Sequence, residues 1–345
     1  MKEIKPLTTM RGAFALWVLG YHIAFNAGMP RGEPFLCYGY LGVEFFFLLS
    51  GFILAGAYGD LFTDRWVGSD YRRFMGARCR RLFPLHLTVL GVVVLLAIIA
   101  GRPIALGPLA SEATLTNMWW PGLPRLNGLD WSLSTELAAN ILLPVLAVLA
   151  LRKTPAGLAV ASITGLAATT ALVAYAWKNG WSLDDIATPG AMIRCFCEFT
   201  MGMLIFRFRG SLTLLSADLV LIPLGIAIVA LVAARSHDLP IVALLATGLA
   251  GLAGNRGRVA RLLSWPPFHY LGKISFSVYL VQSPVNAVVK WAVGDMPAPM
   301  RYWVFALAAV AGTIAVSSFT YSHIERRFKN AAKPQQSLQE STLSV

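Results

Sequence analysis

Residues 10–29 read MRGAFALWVLGYHIAFNAGM, an apolar run of bilayer-crossing length interrupted by Arg11 and His22. An ionisable side chain inside lipid is costly unless it faces a polar cavity, so two on one span require an explanation. At about 100° per residue they lie within roughly 20° of each other, and at about 1.5 Å per residue they are some 16 Å apart along the axis. The first span therefore presents a polar stripe, suited to lining an elongated site.

The rest of the chain agrees with this setting. Its 345 residues are 57% hydrophobic and 13% charged, with a mean hydropathy of +0.63, too apolar for a water-soluble globular protein. The apolar stretches fall at about 9–29, 36–58, 82–100, 131–151, 156–177, 188–206, 214–234, 240–254, 270–291 and 301–322. Helices are expected, because they satisfy their own backbone where water is absent. The predicted class is an all-α polytopic membrane bundle of about ten transmembrane helices. Arg11 and His22 break the first run and no cleavage site follows, so that run is expected to be retained rather than removed as a signal peptide.

Basic residues orient the bundle. If both termini are cytoplasmic, 21 of the 29 Lys and Arg fall on the inner side, the distribution that cytoplasmic loops favour. The net charge of +12 then describes one face of a membrane protein. Nucleic acid is not an expected partner, since no soluble basic domain is present. Residues 1–328 form one membrane domain, followed by a short, polar tail at 329–345 expected to be cytoplasmic and disordered.

Depth along each span brings candidate groups together. His22 is placed about two-thirds of the way outward, Glu44 in the outer half of the second span, and Glu136 about a turn below the outer end of the fourth. A histidine beside a carboxylate in a low-dielectric site is an acid/base unit. The alternatives are that His22 bonds a carbonyl and rivets helices, and that Glu136 serves in helix capping. Arg194 and Glu198 add an i,i+4 pair on the sixth span.

The segment from Gly59 to Arg81 reads as a cytoplasmic connection rich in arginine, with Arg72, Arg73, Arg78, Arg80 and Arg81. Such residues set topology and bind anionic membrane lipid, or they clamp a polyphosphate ligand, to which the guanidinium fork is suited. Gly101 to Asp130 reads as an external aromatic connection. Lys273 and Lys290 fit snorkelling anchors, and His86, His237, His269 and His323 fit interface or surface positions. Cys37, Cys79, Cys195 and Cys197 lack metal or disulfide spacing and read as apolar fillers. No feature calls for a metal.

Six segments in order resemble the acyltransferase-3 family of multi-spanning membrane proteins. They are Arg11 with His22; Gly42-Val43-Glu44-Phe45-Phe46-Phe47 with Ser50-Gly51-Phe52; Arg78 to Pro84; Trp131 to Glu136; Leu271 to Leu280; and Ile324-Glu325-Arg326. Thr8, Gln282 and Arg327 depart from the family pattern, which has an acid, a histidine and a proline there. The resemblance implies transfer of an acyl group, most simply acetyl, from cytoplasmic acyl-CoA to a hydroxyl of an envelope or exported carbohydrate. It implies no bound cofactor, CoA being a co-substrate, and location in a bacterial inner membrane. His22 would be the general base, with Glu136 orienting the imidazole or the acceptor. Arg11, Arg72, Arg73, Arg78, Arg81, Glu44, Trp131 and Ser132 would bind substrate. The rival reading is a proton-coupled transporter, which uses the same residue types. No inverted repeat or matched pair of interrupted helices speaks for it.

Overall fold

A computed structural model describes residues 3–28, 33–63, 67–183, 190–294, 296–297 and 300–330. It is all-helical, 83% helix with no strand among the described residues. Its helices are α1 (Lys5–Ala27), α2 (Gly42–Thr63), α3 (Gly68–Ile99), α4 (Leu106–Ala113), α5 (Asp130–Ile141), α6 (Leu143–Leu151), α7 (Pro155–Lys178), α8 (Gly190–Phe208), α9 (Asp218–Ala233), α10 (Asp238–Ala253), α11 (Gly257–Leu263), α12 (Pro266–Val293) and α13 (Met300–Thr320). Two short turns, Pro34–Cys37 and Gly39–Leu41, precede α2, and a wide turn, Tyr321–Glu325, extends α13. Of the expected tail, residues 331–345 lie outside the described residues, as do Arg31, Arg65 and Asp184.

Each expected apolar stretch holds a helix, yet not each is a span by length and composition alone. Gly39–Thr63, Gly68–Ile99, Pro155–Lys178 and Met300–Phe328 are long and apolar enough to cross a membrane. Counting the bent pairs α5–α6 (65°) and α10–α11 (90°) as single spans gives six. The others are short or carry inward polar residues: α9 has 16 residues, and Arg11, Arg194 with Glu198, and Lys273 lie within α1, α8 and α12. The chain is an integral membrane protein.

The Gly59–Arg81 segment is not a loop. Helix α2 continues to Thr63 and α3 begins at Gly68, so all five arginines from Arg72 to Arg81 ride on a helix. Arginine is a good helix former, and Asp70 in the first turn of α3 favours its start.

Apolar helices in lipid gain little by hiding from water, so close packing must hold them, and glycine allows backbones to meet. A Cβ at Gly272 would collide with the Thr8 carbonyl, and one at Gly12 with the Gly272 backbone, which presses α1 onto α12. Gly51 and Gly202 do the same for α2 and α8, against Phe199 and Leu48. Gly42 lies against Phe14 and Val18, and Gly39 against Trp17 and Tyr21, joining the start of α2 to α1.

These contacts also fix direction. Glu3 meets His269, Arg11 meets Gly272 and Ser275, and Gly28 shares a cleft with Val293, so α1 and α12 run parallel. Helix α2 runs against α1 and alongside α8, with Gly51 at Phe199 and Phe52 at Phe206.

Candidate active site

Where α1, α2, α3, α5 and α12 converge there is a cavity of about 80 Å³. At about 10–15 Å³ per ordered water it holds a handful of water molecules or a short acyl group. Three guanidinium side chains line it: Arg11 from α1, and Arg78 and Arg81 one turn apart on α3. Glu136 and Ser132 enter from α5, Ser275 and Tyr279 from α12, and Ser50 from α2. Phe46, Phe47, Ile53 and Leu54 form the apolar wall.

Arg11 is held by neutral acceptors. Its Nε donates to Ser275 Oγ at 2.8 Å and one Nη to the Gly272 carbonyl at 2.7 Å. Among the described residues no carboxylate is within ion-pairing distance of it; Glu325, Glu3 and Glu136 act on its charge from farther away. Thr8, standing where the family pattern has an acid, bonds Glu3 at 2.9 Å instead. Glu3 in turn meets His269 at 2.8 Å, and although burial pushes its carboxyl up, those hydrogen bonds hold it below the usual range.

Arg78 is buried and donates to Glu136 Oε1 at 2.6 Å, and Ser50 Oγ donates to the same oxygen at 3.5 Å. This contact relocates Glu136. The sequence reading placed it beside His22 in the outer half; the structure places it across the cavity from Arg11, paired with the arginine helix. The reason is that the fourth expected span is two helices bent at Leu142, and α5 has only 12 residues. Among the described residues no hydrogen bond joins Glu136 to the His22 imidazole. Glu136 does not serve in helix capping either, because α5 starts at Asp130, two residues before Ser132.

His22 lies beyond the cavity, farther along α1. Its Nδ1 is 2.8 Å from the Val18 carbonyl, a pure acceptor, so Nδ1 carries the hydrogen and Nε2 keeps a lone pair. The backbone thus fixes the tautomer a general base needs, without a carboxylate.

The remaining candidates divide by contact. Arg72, Arg73 and Arg80 are exposed and do not line the cavity. Ser132 does, with its hydroxyl 2.7 Å from that of Tyr279, which donates to the Leu129 carbonyl at 3.2 Å. Glu44 is not on the cavity wall. It is fully buried in an ion pair with Arg194, itself 5.4 Å from the Trp131 ring, so Glu44 and Trp131 belong to a closed cluster of α2, α5 and α8. Tyr279 and Ser275 went unassigned as site residues, although their i,i+4 spacing puts both on one face of α12.

Two histidines expected at the interface or surface are buried. His269 pairs with Glu3, and His86 accepts or donates at the Glu112 carbonyl, 2.8 Å away, with Asp130 at 3.7 Å. Burial pushes the Glu112 carboxyl up, against the backbone N–H groups of Asn127 and Leu126 that donate to it. Asn127 also donates to Asp130 at 2.7 Å. This network ties the 101–130 connection to α3 and so sets where α5 enters.

A family model described as Acyltransferase domain matches residues 5–322. The chain belongs to the acyltransferase-3 family. Among curated relatives, "Protein 2 in picA locus" of Rhizobium radiobacter is 33% identical over 87 residues, 25% of this chain and 42% of that protein. "Putative peptidoglycan O-acetyltransferase YrhL" of Bacillus subtilis (strain 168) is 28% identical over 165 residues, 43% of this chain and 24% of that protein. The chain therefore matches less than half the length of each. No solved structure matches it.

Proposed function

We propose that this acyltransferase-3 member is a membrane O-acyltransferase, an acetyltransferase in the simplest case, using cytoplasmic acyl-CoA to modify a hydroxyl of an envelope or exported carbohydrate. The observation that carries the reading is the convergence of Arg11, Arg78 and Arg81, from helices distant in sequence, on one small cavity with an apolar wall. Three guanidinium groups and one carboxylate leave an excess of positive charge, suited to the phosphates of CoA or the carbonyls of its pantetheine arm.

In this mechanism the donor is gripped at the arginines and its thioester extends along the Arg11–His22 stripe. The acceptor oxygen attacks the thioester carbonyl carbon while its proton passes to His22 Nε2. Collapse of the adduct breaks the C–S bond, forming the ester and releasing CoA. Glu136 holds Arg78 in place for the donor. Membrane lipid is the other expected partner, at the exposed arginines of α3.

Removing charge at Arg78 or Arg81 is expected to weaken acyl-CoA binding. A hydrogen bond to a charged group contributes about 1.5–3 kcal/mol, so a loss of roughly tenfold or more per residue is expected. Substitution by Lys should restore part of it, for want of the planar fork. Arg72→Gln and Arg73→Gln should bind normally. Titration of acetyl-CoA against detergent-purified variants reads this, and unchanged affinity in both Arg78 and Arg81 variants would reassign them to folding.

Ten passes with both ends cytoplasmic fit the observed helix directions. The parallel pairs α1 with α12, and α2 with α8, are those that a chain crossing at each apolar stretch would produce. A cysteine at exposed position Arg125 should then react with an impermeant reagent added outside, and one at Arg73 should not. Outside access at Arg73 would reverse the orientation.

A further inference from the structure

A second cleft, about 270 Å³, opens at the far end of α1, between the last turn of α12 and the first turn of α13. Phe25, Asn26, Gly28, Lys290, Arg301 and Phe305 line it. Among the described residues the charge there is one-sided. Neither Lys290 nor Arg301 has a carboxylate within ion-pairing distance among the described residues. Arg301 Nε is buried with no hydrogen-bond partner.

Arg301 also lies in the first described turn of helix α13, where its own N–H donates to the Pro297 carbonyl at 3.1 Å. The macrodipole makes that end of the helix positive, so a cation there is unfavourable by itself. An anion in the cleft would be met by the helix end, by Arg301 and by Lys290 together. The cleft is moreover next to the proposed base: Asn26 follows His22 by one turn, about 6 Å, on the same face of α1, and its amide donates to the His22 carbonyl at 2.8 Å. Exposed Trp291 and Trp303 flank this end, as aromatic side chains do at a membrane interface.

From this geometry we infer that the cleft is an acceptor subsite for an acidic sugar, binding its carboxylate or phosphate so that a neighbouring hydroxyl is held at His22. The inference rests on the acyl-transfer reading, which assigns His22 its role. It makes the acceptor anionic and puts acceptor recognition at the opposite end of α1 from the donor arginines.

The test is direct binding without donor, using full-length protein in phosphatidylcholine nanodiscs and two probes that differ by one carboxylate, methyl glucoside and methyl glucuronide. Saturation-transfer titration should show the glucuronide binding at least tenfold more tightly. Arg301→Gln should bring that ratio close to one. Lys290→Gln, an exposed substitution with little bearing on folding, should lower it several-fold while leaving the glucoside unchanged. Equal binding of the two probes by the unaltered protein, or a preference that survives both substitutions, overturns the proposal. So does an Arg301-dependent preference for phosphatidylglycerol over phosphatidylcholine without any preference for the glucuronide, which would give the cleft to lipid headgroups. No acyl-CoA is present, so the result stands apart from acyl transfer itself, which the acetyl-CoA titration and turnover measurements read.

Discussion

His22→Ala is expected to lower turnover by about 10²- to 10⁴-fold, the usual contribution of a positioned general base, while acetyl-CoA affinity stays normal. The separation follows from distance. His22 and Arg11 are about 16 Å apart along α1, and the arginines proposed to bind the donor make no contact through the imidazole. The ring's hydrogen bond is to the Val18 carbonyl of its own helix, so truncation removes the Nε2 lone pair without breaking a hydrogen bond to another helix. Initial rates of labelled acetyl transfer, with elution volume as a check on folding, measure this. Near-normal turnover in a correctly folded variant would remove His22 from the mechanism.

Arg194→Leu should damage the fold rather than the chemistry. Arg194 and Glu44 are among the most buried charged residues of the structure, joined to each other and covered by Trp131. Removing one partner leaves the other charge buried, at a cost of about 3–5 kcal/mol. The double variant Arg194→Leu with Glu44→Leu should recover only part of that loss: a buried pair replaced by apolar side chains is close to neutral, but Glu198, fully buried one turn from Arg194, is left without its arginine. Thermal unfolding in detergent compares the three proteins. If the double variant is no more stable than the single one, the pair does more than compensate its own burial.

Much of the architecture was readable because lipid imposes one rule on every segment: apolar runs of adequate length become helices. The polar stripe of α1 was readable for the same reason, since Arg11 and His22 differ in phase by only about 20° on a helix. Contacts between segments were not. Periodicity tells which face of α5 carries Glu136 but not that α3 lies opposite, and charge made the start of α3 look like a loop. Once that stretch is helical, its phase sorts the arginines, because Arg78 and Arg81 share a face that Arg72 does not. The bend at Leu142, with Pro144 just beyond it, leaves continuous hydropathy and so stays hidden within one long apolar run. His86 was misjudged because its partner is a backbone carbonyl, and residue types carry no signal for that.

Helix α3 has 32 residues, about 48 Å, against a hydrocarbon layer of about 30 Å. Its apolar part, from Leu82 to Ile99, is about 27 Å by the same rise and fills that layer nearly alone. The excess length is continuous helix packed against α2, Phe74 on Tyr58 and Phe62, with Arg78 and Arg81 where the apolar part begins. If the donor is acyl-CoA, as proposed, its polyphosphate end docks at these arginines without shedding its water into lipid, and only its uncharged arm need enter the bundle. The dielectric boundary itself then divides the substrate, keeping the charged end in one solvent and sending the reactive end into another.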